Sequence, residues 1–311
     1  MEISNVKIDW APILEGQIKY LEEIYPDVAI RETYRDIIER LNENKIKSRI
    51  ILNGITVAGY AFVMESSLLS DRIYGSMGFT DSAFASDVRI RNLVEWAENI
   101  AKAQGKYLMI NEIFRAEEAS VKLLSDIGYT RVRRDRMEIS LDEFNMKSEN
   151  YPQEFEVLPI TNTTYQEYSK AEFDAYAGTL DSILFHTTSE ADRFSMAKAI
   201  FNGSYGEIIP SASSIIRHHG KLIAAILATT KPEKQTDGSR SLITDIFVNR
   251  DYRGNGIATT MMINCLNRLK YLGFETAELW VTNGNEAAHI YEKLGFKPSA
   301  SAKEIFYYRK P

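Results

Sequence analysis

Two glycines one residue apart occupy the stretch RGNGIA, which holds Arg253, Gly254, Asn255, Gly256, Ile257 and Ala258. A β-rich run, residues 241–248, precedes this stretch, and a helical pattern follows it. The first turn of a helix presents unpaired backbone N–H groups and partial positive charge, and glycines let an anion approach that backbone closely. Arg253 adds a cation. The stretch therefore predicts a cradle for a pyrophosphate group.

The glycine loop does not follow the two best-known nucleotide-binding patterns. The sequence contains no G-x-x-x-x-G-K-[ST], and no acidic residue stands at the spacing expected for a dinucleotide fold. On its own, the loop is also compatible with an ordinary turn from a strand to a helix. Its interpretation therefore depends on the elements around it.

Those elements predict a strand, a helix, a strand and a helix in succession. Apolar residues recur at helical spacing after the loop, and Gly273 follows as a C-terminal cap; they are Ile257, Met261, Cys265, Leu269 and Leu272. AELWVT, residues 277–282, predicts the next strand. Residues 285–294 predict a helix that Gly295 ends, and KEIFYYR is expected to close the sheet.

Two features recur along the chain at a nearly constant offset. The turn dipeptide Asn53-Gly54 is matched by His219-Gly220, and Gly128 in KLLSDIGYT is matched by Gly295 in EKLGFKP. The polar stretch 142–155 has the composition of a linker. The sequence predicts a duplicated mixed α/β fold, with tandem domains at 1–145 and 152–311.

The composition limits the classes of function. A formal net charge of -6 argues against a general nucleic-acid binder, which needs excess Lys and Arg. The single cysteine, Cys265, excludes a disulfide framework and fits a reducing cytoplasm. The histidines lack ligand spacing, so no metal is expected. We also expect no signal peptide and no membrane span, because no long apolar run occurs.

The run SLITDIFVNRDYRGNGIA followed by ELWVTNGNEAAHIYEKLGF resembles the GNAT-type N-acetyltransferases. That family carries R/Q-x-x-G-x-G/A after its fourth strand. The resemblance covers residues 241–297 in detail, and the order of elements agrees from about residue 155. It implies two tandem GNAT-like acyl-CoA N-acyltransferase domains, with acetyl-CoA as the acyl donor and an amine as the acceptor.

The resemblance also implies positions for the coenzyme. The backbone of Ile246, Phe247 and Val248 would pair with the pantetheine arm, and the glycine loop from Arg253 to Ala258 would hold the pyrophosphate. Asn285, in the pattern N-x-x-A, would touch the coenzyme. Tyr291 would protonate the departing sulfur.

General chemistry agrees with the role implied for Tyr291. A thiol has a pKa of about 8.5 and a phenol a pKa of about 10, close enough for a positioned phenol to give its proton to a thiolate. Asp245 is the first candidate for the base that accepts the amine proton. Glu278 and His186 are weaker candidates, and transfer of this proton to water stays open.

The acceptor side is less specific. Acidic residues in the helical region before the second hairpin either favour a cationic amine or form solvated helix faces; they are Glu172, Asp174, Asp181, Glu190 and Asp192. The aromatic residues Phe173, Tyr176 and Phe185 either line a pocket or belong to the core.

The first half has lost the chemical positions. Aligning the halves places residues 86–91, SDVRIR, over the glycine loop, so both glycines are absent and Asp87 stands near the phosphate position. Glu118 replaces Asn285 and Leu124 replaces Tyr291. We expect this half to be structural and to bind no coenzyme A.

The sequence thus predicts an N-acetyltransferase in which an amine attacks acetyl-CoA directly in a ternary complex. A non-catalytic acyl-CoA sensor or docking module is the alternative, and a longer acyl or aminoacyl donor is a third possibility. The oligomeric state and the acceptor are not determined by the sequence.

Overall fold

The computed structural model describes residues 8–26, 28–66, 68–148, 150–184, 189–231 and 239–309. Two compact units divide the chain: unit 1 is Met1–Arg133 with Ser301–Pro311, and unit 2 is Arg134–Ala300. The predicted domain bounds, 1–145 and 152–311, follow a duplication of the sequence, whereas the two units follow the compactness of the structure. The predicted bounds stay a prediction. His186 and Phe185 lie outside the described residues.

Unit 1 is built around a mixed sheet. Its elements are α1 (Ala11–Ile24), α2 (Ile30–Asn42), β1 (Lys47–Asn53), β2 (Thr56–Glu65), β3 (Arg72–Phe79), α3 (Asp87–Ala103), β4 (Tyr107–Asn111) and α4 (Glu117–Asp126). Strands β1, β2 and β3 are antiparallel neighbours, and β4 runs parallel to β3. Separate apolar clusters pack α3 with α4 and α1 with α2.

Unit 2 repeats this plan. Strand β5 (Thr130–Ser140) enters it and is followed by β6 (Glu156–Pro159), α5 (Tyr165–Tyr176), α6 (Leu180–Leu184), α7 (Glu190–Phe201), β7 (Ser214–His218), β8 (Lys221–Thr230), β9 (Arg240–Val248), α8 (Ile257–Tyr271), β10 (Thr276–Thr282) and α9 (Ala288–Leu294). Strands β6 to β9 are antiparallel neighbours, and β10 is parallel to β9. The predicted mixed α/β class is confirmed.

The last strand, β11 (Lys297–Tyr308), corrects one expectation. KEIFYYR was expected to close the sheet of the second half, but Phe306–Tyr308 pairs with β4, and Ile305 and Tyr307 are buried in the core of unit 1. In unit 2 the segment Arg134–Ser140 of β5 lies beside β10 instead. Alternating apolar residues predict a strand but do not specify its partner, so the sequence left this choice open.

Both predicted hairpins form. Asn53 pairs with Thr56, and His218 pairs with Lys221. The glycine of each turn has a positive φ, +64° at Gly54 and +76° at Gly220, a conformation that glycine adopts without steric cost.

Helix α8 follows the predicted apolar stripe with one exception. Ile257, Met261, Cys265 and Leu269 are buried, and burial raises the pKa of the Cys265 thiol to about 12, as expected for a core residue. Leu272 was expected in the stripe, but it is 41% exposed. The helix ends at Tyr271, so Leu272 is the cap residue before Gly273, whose φ is +87°.

The predicted linker, residues 142–155, contains no helix or strand in its described part. It is nevertheless held against α8, because the ammonium of Lys270 donates to the carbonyls of Asp142 and Phe144 at 3.0 and 2.8 Å. Phe144 itself is buried in the core of unit 2. Separately, no helix within the described ranges is long and apolar enough to cross a membrane.

Candidate active site

The glycine loop forms the N-terminal approach to α8. Gly254 and Gly256 have φ values of +80° and +74°, and Gly256 is the N-cap of the helix. A Cβ atom built at either glycine meets nothing within 4 Å, so the space above the loop is open. The backbone N–H groups of the first helical turn have no partner within the helix. The arrangement fits the predicted anion cradle.

Arg253 is tied to the backbone of unit 2. Its Nε donates to the carbonyl of Val248 at 3.1 Å, and its Nη2 donates to the carbonyl of Ala175 at 2.7 Å. The guanidinium thus fixes the loop to the end of β9 and to the last turn of α5. Its charge lies beside the loop, but these two donors already have protein acceptors.

The parallel pairing of β9 and β10 ends early. The ladder runs from Thr276 opposite Arg240 to Glu278 opposite Leu242. Residues 243–248 of β9 and residues 279–282 of β10 extend past the end of this ladder. Within this stretch of β9, the carbonyl of Ile246 accepts a hydrogen bond from the Tyr176 hydroxyl at 3.0 Å. Arg253 also donates to the carbonyl of Val248. Because these two carbonyls already accept hydrogen bonds, a ligand arm that pairs with this part of β9 would rely on the N–H groups of the strand.

Asp245, on β9, is 7% exposed and is held by two phenols. The hydroxyl of Tyr168 donates to Oδ2 at 2.5 Å, and that of Tyr176, 2.8 Å from Oδ1, shares its single proton between this oxygen and the carbonyl of Ile246. Burial, reinforced by the charge of Asp245, raises the pKa of both tyrosines well above the usual value. Both phenols therefore remain protonated donors at neutral pH and stabilise the carboxylate.

Tyr291, on α9, is 7% exposed, and its hydroxyl has no hydrogen-bond partner among the described residues. Its ring packs edge-on against Phe296, with ring centres 6.0 Å apart. Burial raises the pKa of Tyr291, and the charges of Asp245 and Asp181 raise it further. The phenol is thus kept in its protonated form and lies within electrostatic range of both carboxylates.

Asn285 holds Asp181 through its side chain. Its Nδ2 donates to Oδ2 of Asp181 at 2.9 Å, and its Oδ1 accepts from the N–H of Ala287 at 2.9 Å. The hydroxyl of Thr282 donates to the other oxygen of Asp181. The helix predicted from Asn285 begins at Ala288 instead, because Asn285 caps the turn before it. Contact between Asn285 and a coenzyme stays a prediction.

The acidic residues of the predicted acceptor side do not form one solvated face. Glu172 and Arg193 are a fully buried ion pair between α5 and α7, and Asp181 and Asp192 are also buried, whereas Asp174 and Glu190 are exposed. Burial lowers the pKa of Arg193 to about 10, and the charge of Asp245 opposes this shift. Arg193 is therefore an internal cation near the site.

Glu278, the weaker candidate base on β10, lies in a cluster of cations. Its carboxylate accepts from Nε of Arg240 at 2.6 Å and pairs with Lys231 at 3.2 Å and with Arg136 at 3.9 Å. It is 1% exposed. A buried carboxylate with this set of partners is occupied in holding β5, β9 and the end of β8 together, which disfavours a catalytic role.

In unit 1 the equivalent opening is closed by the chain itself. Beyond the β3–β4 ladder, the N–H of Phe114 donates to the carbonyl of Met77 and the N–H of Phe79 donates to the carbonyl of Phe114, each at 3.1 Å. Asp87 lies in the first turn of α3, where unit 2 has its glycine loop. Leu124, aligned with Tyr291, is a core residue. The loss of coenzyme binding expected for the first half stays a prediction.

The remaining candidates are remote or structural. His289 is exposed on α9 and pairs with Glu292, as expected for a surface residue. His218 is hydrogen bonded to the hydroxyl of Tyr252 at 3.0 Å. Within the described part of the chain, no group of three or more His, Cys, Asp or Glu side chains is arranged to hold a metal ion.

Sequence reasoning missed the roles of Tyr168, Thr282 and Arg193. Tyr168 and Arg193 act through contacts between α5, α7 and β9, and Thr282 acts through its bond to Asp181. A polar residue at the end of an apolar strand, such as Thr282, was the available signal. The partners of the other two are set by packing and leave no local pattern.

Comparison with known proteins agrees with this geometry. Residues 180–296 match the sequence model of the acetyltransferase (GNAT) family. A GCN5-related N-acetyltransferase from Sphaerobacter thermophilus has a similar structure, with 15% identity, a TM-score of 0.61, and coverage of 96% of this chain and 93% of its own. No curated protein matches the sequence.

Two further solved structures share the fold. A GCN5-related glucosamine N-acetyltransferase region in a fungal multi-domain β-N-acetylglucosaminidase has 13% identity and a TM-score of 0.53, over 94% of this chain and 37% of that one. A functionally unknown conserved protein from Staphylococcus epidermidis has 10% identity and a TM-score of 0.52, over 85% and 94%. At these identities the likeness shows the fold alone.

Proposed function

We propose that this chain, a GNAT-type acetyltransferase by family, transfers the acetyl group of acetyl-CoA to a primary amine by direct attack in a ternary complex. The observation that carries the proposal is the Tyr291 side chain, which is 7% exposed, has no hydrogen-bond partner for its hydroxyl among the described residues and lies within electrostatic range of Asp245 on β9. That strand is followed, after a short 3-10 turn at Arg250–Tyr252, by the open glycine loop of α8. The donor phenol and the anion cradle thus lie on neighbouring elements of unit 2.

The residues present fit the coenzyme. The open space above Gly254 and Gly256 and the N–H groups of the first turn of α8 would hold the pyrophosphate, with Asn255, Ile257 and Ala258 supplying further backbone. The edge of β9 at Ile246, Phe247 and Val248 would pair with the pantetheine arm. When bound, acetyl-CoA supplies an acetyl thioester, which is activated toward amines.

The protons would move through two side chains. Asp245 would accept the proton that the acceptor ammonium loses, and Tyr291 would give its phenolic proton to the departing sulfur as the new C–N bond forms and the C–S bond breaks. The two roles are coupled, because the charge of Asp245 contributes to the raised pKa of Tyr291. Once Asp245 is protonated, the phenol becomes a stronger acid.

We propose one donor site per chain, in unit 2. The hydrogen bonds of Phe114 to Met77 and Phe79 occupy the strand edge at which unit 1 would pair with a pantetheine arm. Asp87 would add repulsion against a phosphate at the start of α3. Unit 1 would therefore be a structural copy.

The test is release of free coenzyme A thiol from acetyl-CoA with a panel of primary amines, for the wild type and for Tyr291→Phe. We expect the substitution to lower kcat by about 10² to 10⁴, the usual worth of a positioned acid, with little change in acetyl-CoA affinity. Tyr271→Phe, at the exposed end of α8, is the matched control. Binding of acetyl-CoA without thiol release for any amine would instead favour a sensor, and unaltered turnover would remove the role of Tyr291.

A further inference from the structure

Asp181, on α6, binds both ends of one turn. The turn joins β10 to α9 and is closed by the N–H of Asn285, which donates to the carbonyl of Thr282 at 3.0 Å. The hydroxyl of Thr282 donates to one oxygen of Asp181, and Nδ2 of Asn285 donates to the other oxygen at 2.9 Å. Asp181 is 9% exposed and Thr282 is 1% exposed. One buried carboxylate therefore holds the first and the last residue of the turn.

The same turn sets the start of α9. Oδ1 of Asn285 accepts from the N–H of Ala287 at 2.9 Å, and the carbonyl of Asn285 accepts from the N–H of Ala288 at 3.0 Å. Ala287 is the N-cap of the helix, and its methyl side chain cannot accept a hydrogen bond from the helix end. Asn285 binds this end instead, while its own amide is held by Asp181.

Tyr291 is attached to the residue that Asn285 holds. Its backbone N–H donates to the carbonyl of Ala287 at 3.2 Å, one helical turn earlier. Helix α9 has only seven residues, and such a short helix depends on outside contacts for its stability. Hydrogen bonds thus run without a break from Asp181 through Asn285 and Ala287 to the backbone of Tyr291.

The charge of Asp181 also acts on the side chain of Tyr291. Burial is the main cause of the raised pKa of this phenol, the charge of Asp245 is the next, and the charge of Asp181 is the third. Asp181 is therefore connected to Tyr291 through the backbone of α9 and lies within electrostatic range of its hydroxyl.

We infer that Asp181 is the positioning residue for Tyr291, and that it acts through Asn285 and the start of α9. The inference rests on the proposed function, in which Tyr291 gives its proton to the departing sulfur. Proton transfer requires the donor to lie within hydrogen-bond reach of its acceptor, and a displacement of about 1 Å can cost about 10²-fold in rate. A carboxylate expected on the acceptor side would thus act on the acid rather than on the amine.

The first arm of the test measures hydrogen exchange of the α9 backbone, without any ligand, in the wild type, Asp181→Ala, Asp181→Asn and Asp174→Ala. Asparagine keeps both bonds, because its carbonyl oxygen can accept from Asn285 and its amide can donate to the hydroxyl of Thr282. Asp174, exposed on α5, is the control. We expect exchange to be about 10-fold faster in Asp181→Ala, from the loss of a hydrogen bond to a charged group, and within about threefold of the wild type in the other two variants. Equal exchange in the wild type and Asp181→Ala overturns the inference.

The second arm is a double-mutant cycle of Asp181→Ala and Tyr291→Phe, read by thiol release from acetyl-CoA with the amine panel. Alone, Asp181→Ala should lower kcat by about 10- to 100-fold and change the Kd of acetyl-CoA in calorimetry by less than about threefold. In the Tyr291→Phe background it should lower the remaining rate by less than about threefold, because the phenol that it positions is absent. Equal falls in both backgrounds would mean that Asp181 only stabilises the fold, and would overturn the inference.

Two more variants complete this arm. Asp181→Asn should keep kcat within about threefold of the wild type, because both hydrogen bonds remain; a fall as large as that of Asp181→Ala would overturn the positioning role. Thr282→Val takes the place of Asp181→Ala in both arms if the latter does not fold. It removes one donor to Asp181 with little change in side-chain volume, and its effects should have the same pattern at about three- to tenfold.

The two proposals fail separately. A fall in kcat for Tyr291→Phe, with a fall for Asp181→Ala that is the same in both backgrounds, would uphold the proposed function and remove the inference. Faster exchange of α9 in Asp181→Ala, with no thiol release by the wild type for any amine, would uphold the link from Asp181 to Tyr291 and contradict the proposed function.

Discussion

Replacing Asp245 with Asn tests the coupling between the two proton-transfer groups. The substitution keeps an acceptor oxygen for one of the two tyrosine hydroxyls, replaces the other oxygen with an amide NH2, and removes the charge that acts on Tyr291. Asparagine has no basicity near neutral pH, so the amine proton would have to leave through water. Loss of a positioned base is typically worth about 10² to 10⁴ in rate, and we expect kcat to fall within that range.

The same substitution should also change the titration of Tyr291. Burial is the main cause of its raised pKa, and the charge of Asp245 is the next. Without that charge, the pKa of Tyr291 should fall while staying above the ordinary value for tyrosine. Ultraviolet titration of Asp245→Asn, with Asp245→Asn/Tyr291→Phe subtracted, isolates this one phenol.

Two results would refute this reasoning. Turnover within about threefold of the wild type would mean that Asp245 is a structural anchor for Tyr168 and Tyr176 and does not accept the proton. An unchanged Tyr291 titration would mean that the two groups are not coupled. Asp174→Asn, which removes an exposed carboxylate of the same unit, should leave both quantities unchanged.

Two further predictions concern stability. Tyr168, Tyr176 and Tyr291 have raised pKa values in the folded state, so the unfolded chain loses these protons first. The contribution of these three groups to stability should be constant below about pH 10 and fall above it, by about 1.4 kcal/mol per pH unit for each group, as urea unfolding at several pH values would measure. Ile305→Ala should destabilise unit 1 by about 2 to 5 kcal/mol, because Ile305 is 5% exposed and lies in the core of that unit. The control is Ile55→Ala, at an exposed position. Equal unfolding midpoints for the two variants would contradict the placement of β11.

Local patterns predicted much of the framework. The turn at Asn53-Gly54 and the buried stripe from Ile257 to Leu269 depend on residues close in sequence, and both are confirmed. Leu272 was misplaced because one residue beyond the last helical turn looks the same in a periodic pattern as one within it. The limits of a helix are set by its capping geometry, which periodicity does not encode.

Contacts between residues far apart in the chain could not be predicted from the sequence. The bonds from Thr282 and Asn285 to Asp181 join α6 to the end of β10, and those of Arg253 join the loop to a carbonyl of α5. Such partners depend on tertiary packing. The exchange of β11 for β5 beside β10 has the same origin, since each segment has the alternation of a strand and nothing local assigns its neighbour.

The central claim is that acetyl-CoA binds at the glycine loop of unit 2, once per chain. Calorimetric titration with acetyl-CoA of the wild type, Gly256→Glu and Gly273→Glu tests it most directly. Both glycines have left-handed φ values, +74° and +87°, and open space around them, so the two substitutions carry similar backbone strain, but only Gly256 lies in the loop. The account predicts one molecule per chain in the wild type and Gly273→Glu and none in Gly256→Glu. Two molecules per chain, or unchanged binding by Gly256→Glu, would contradict it.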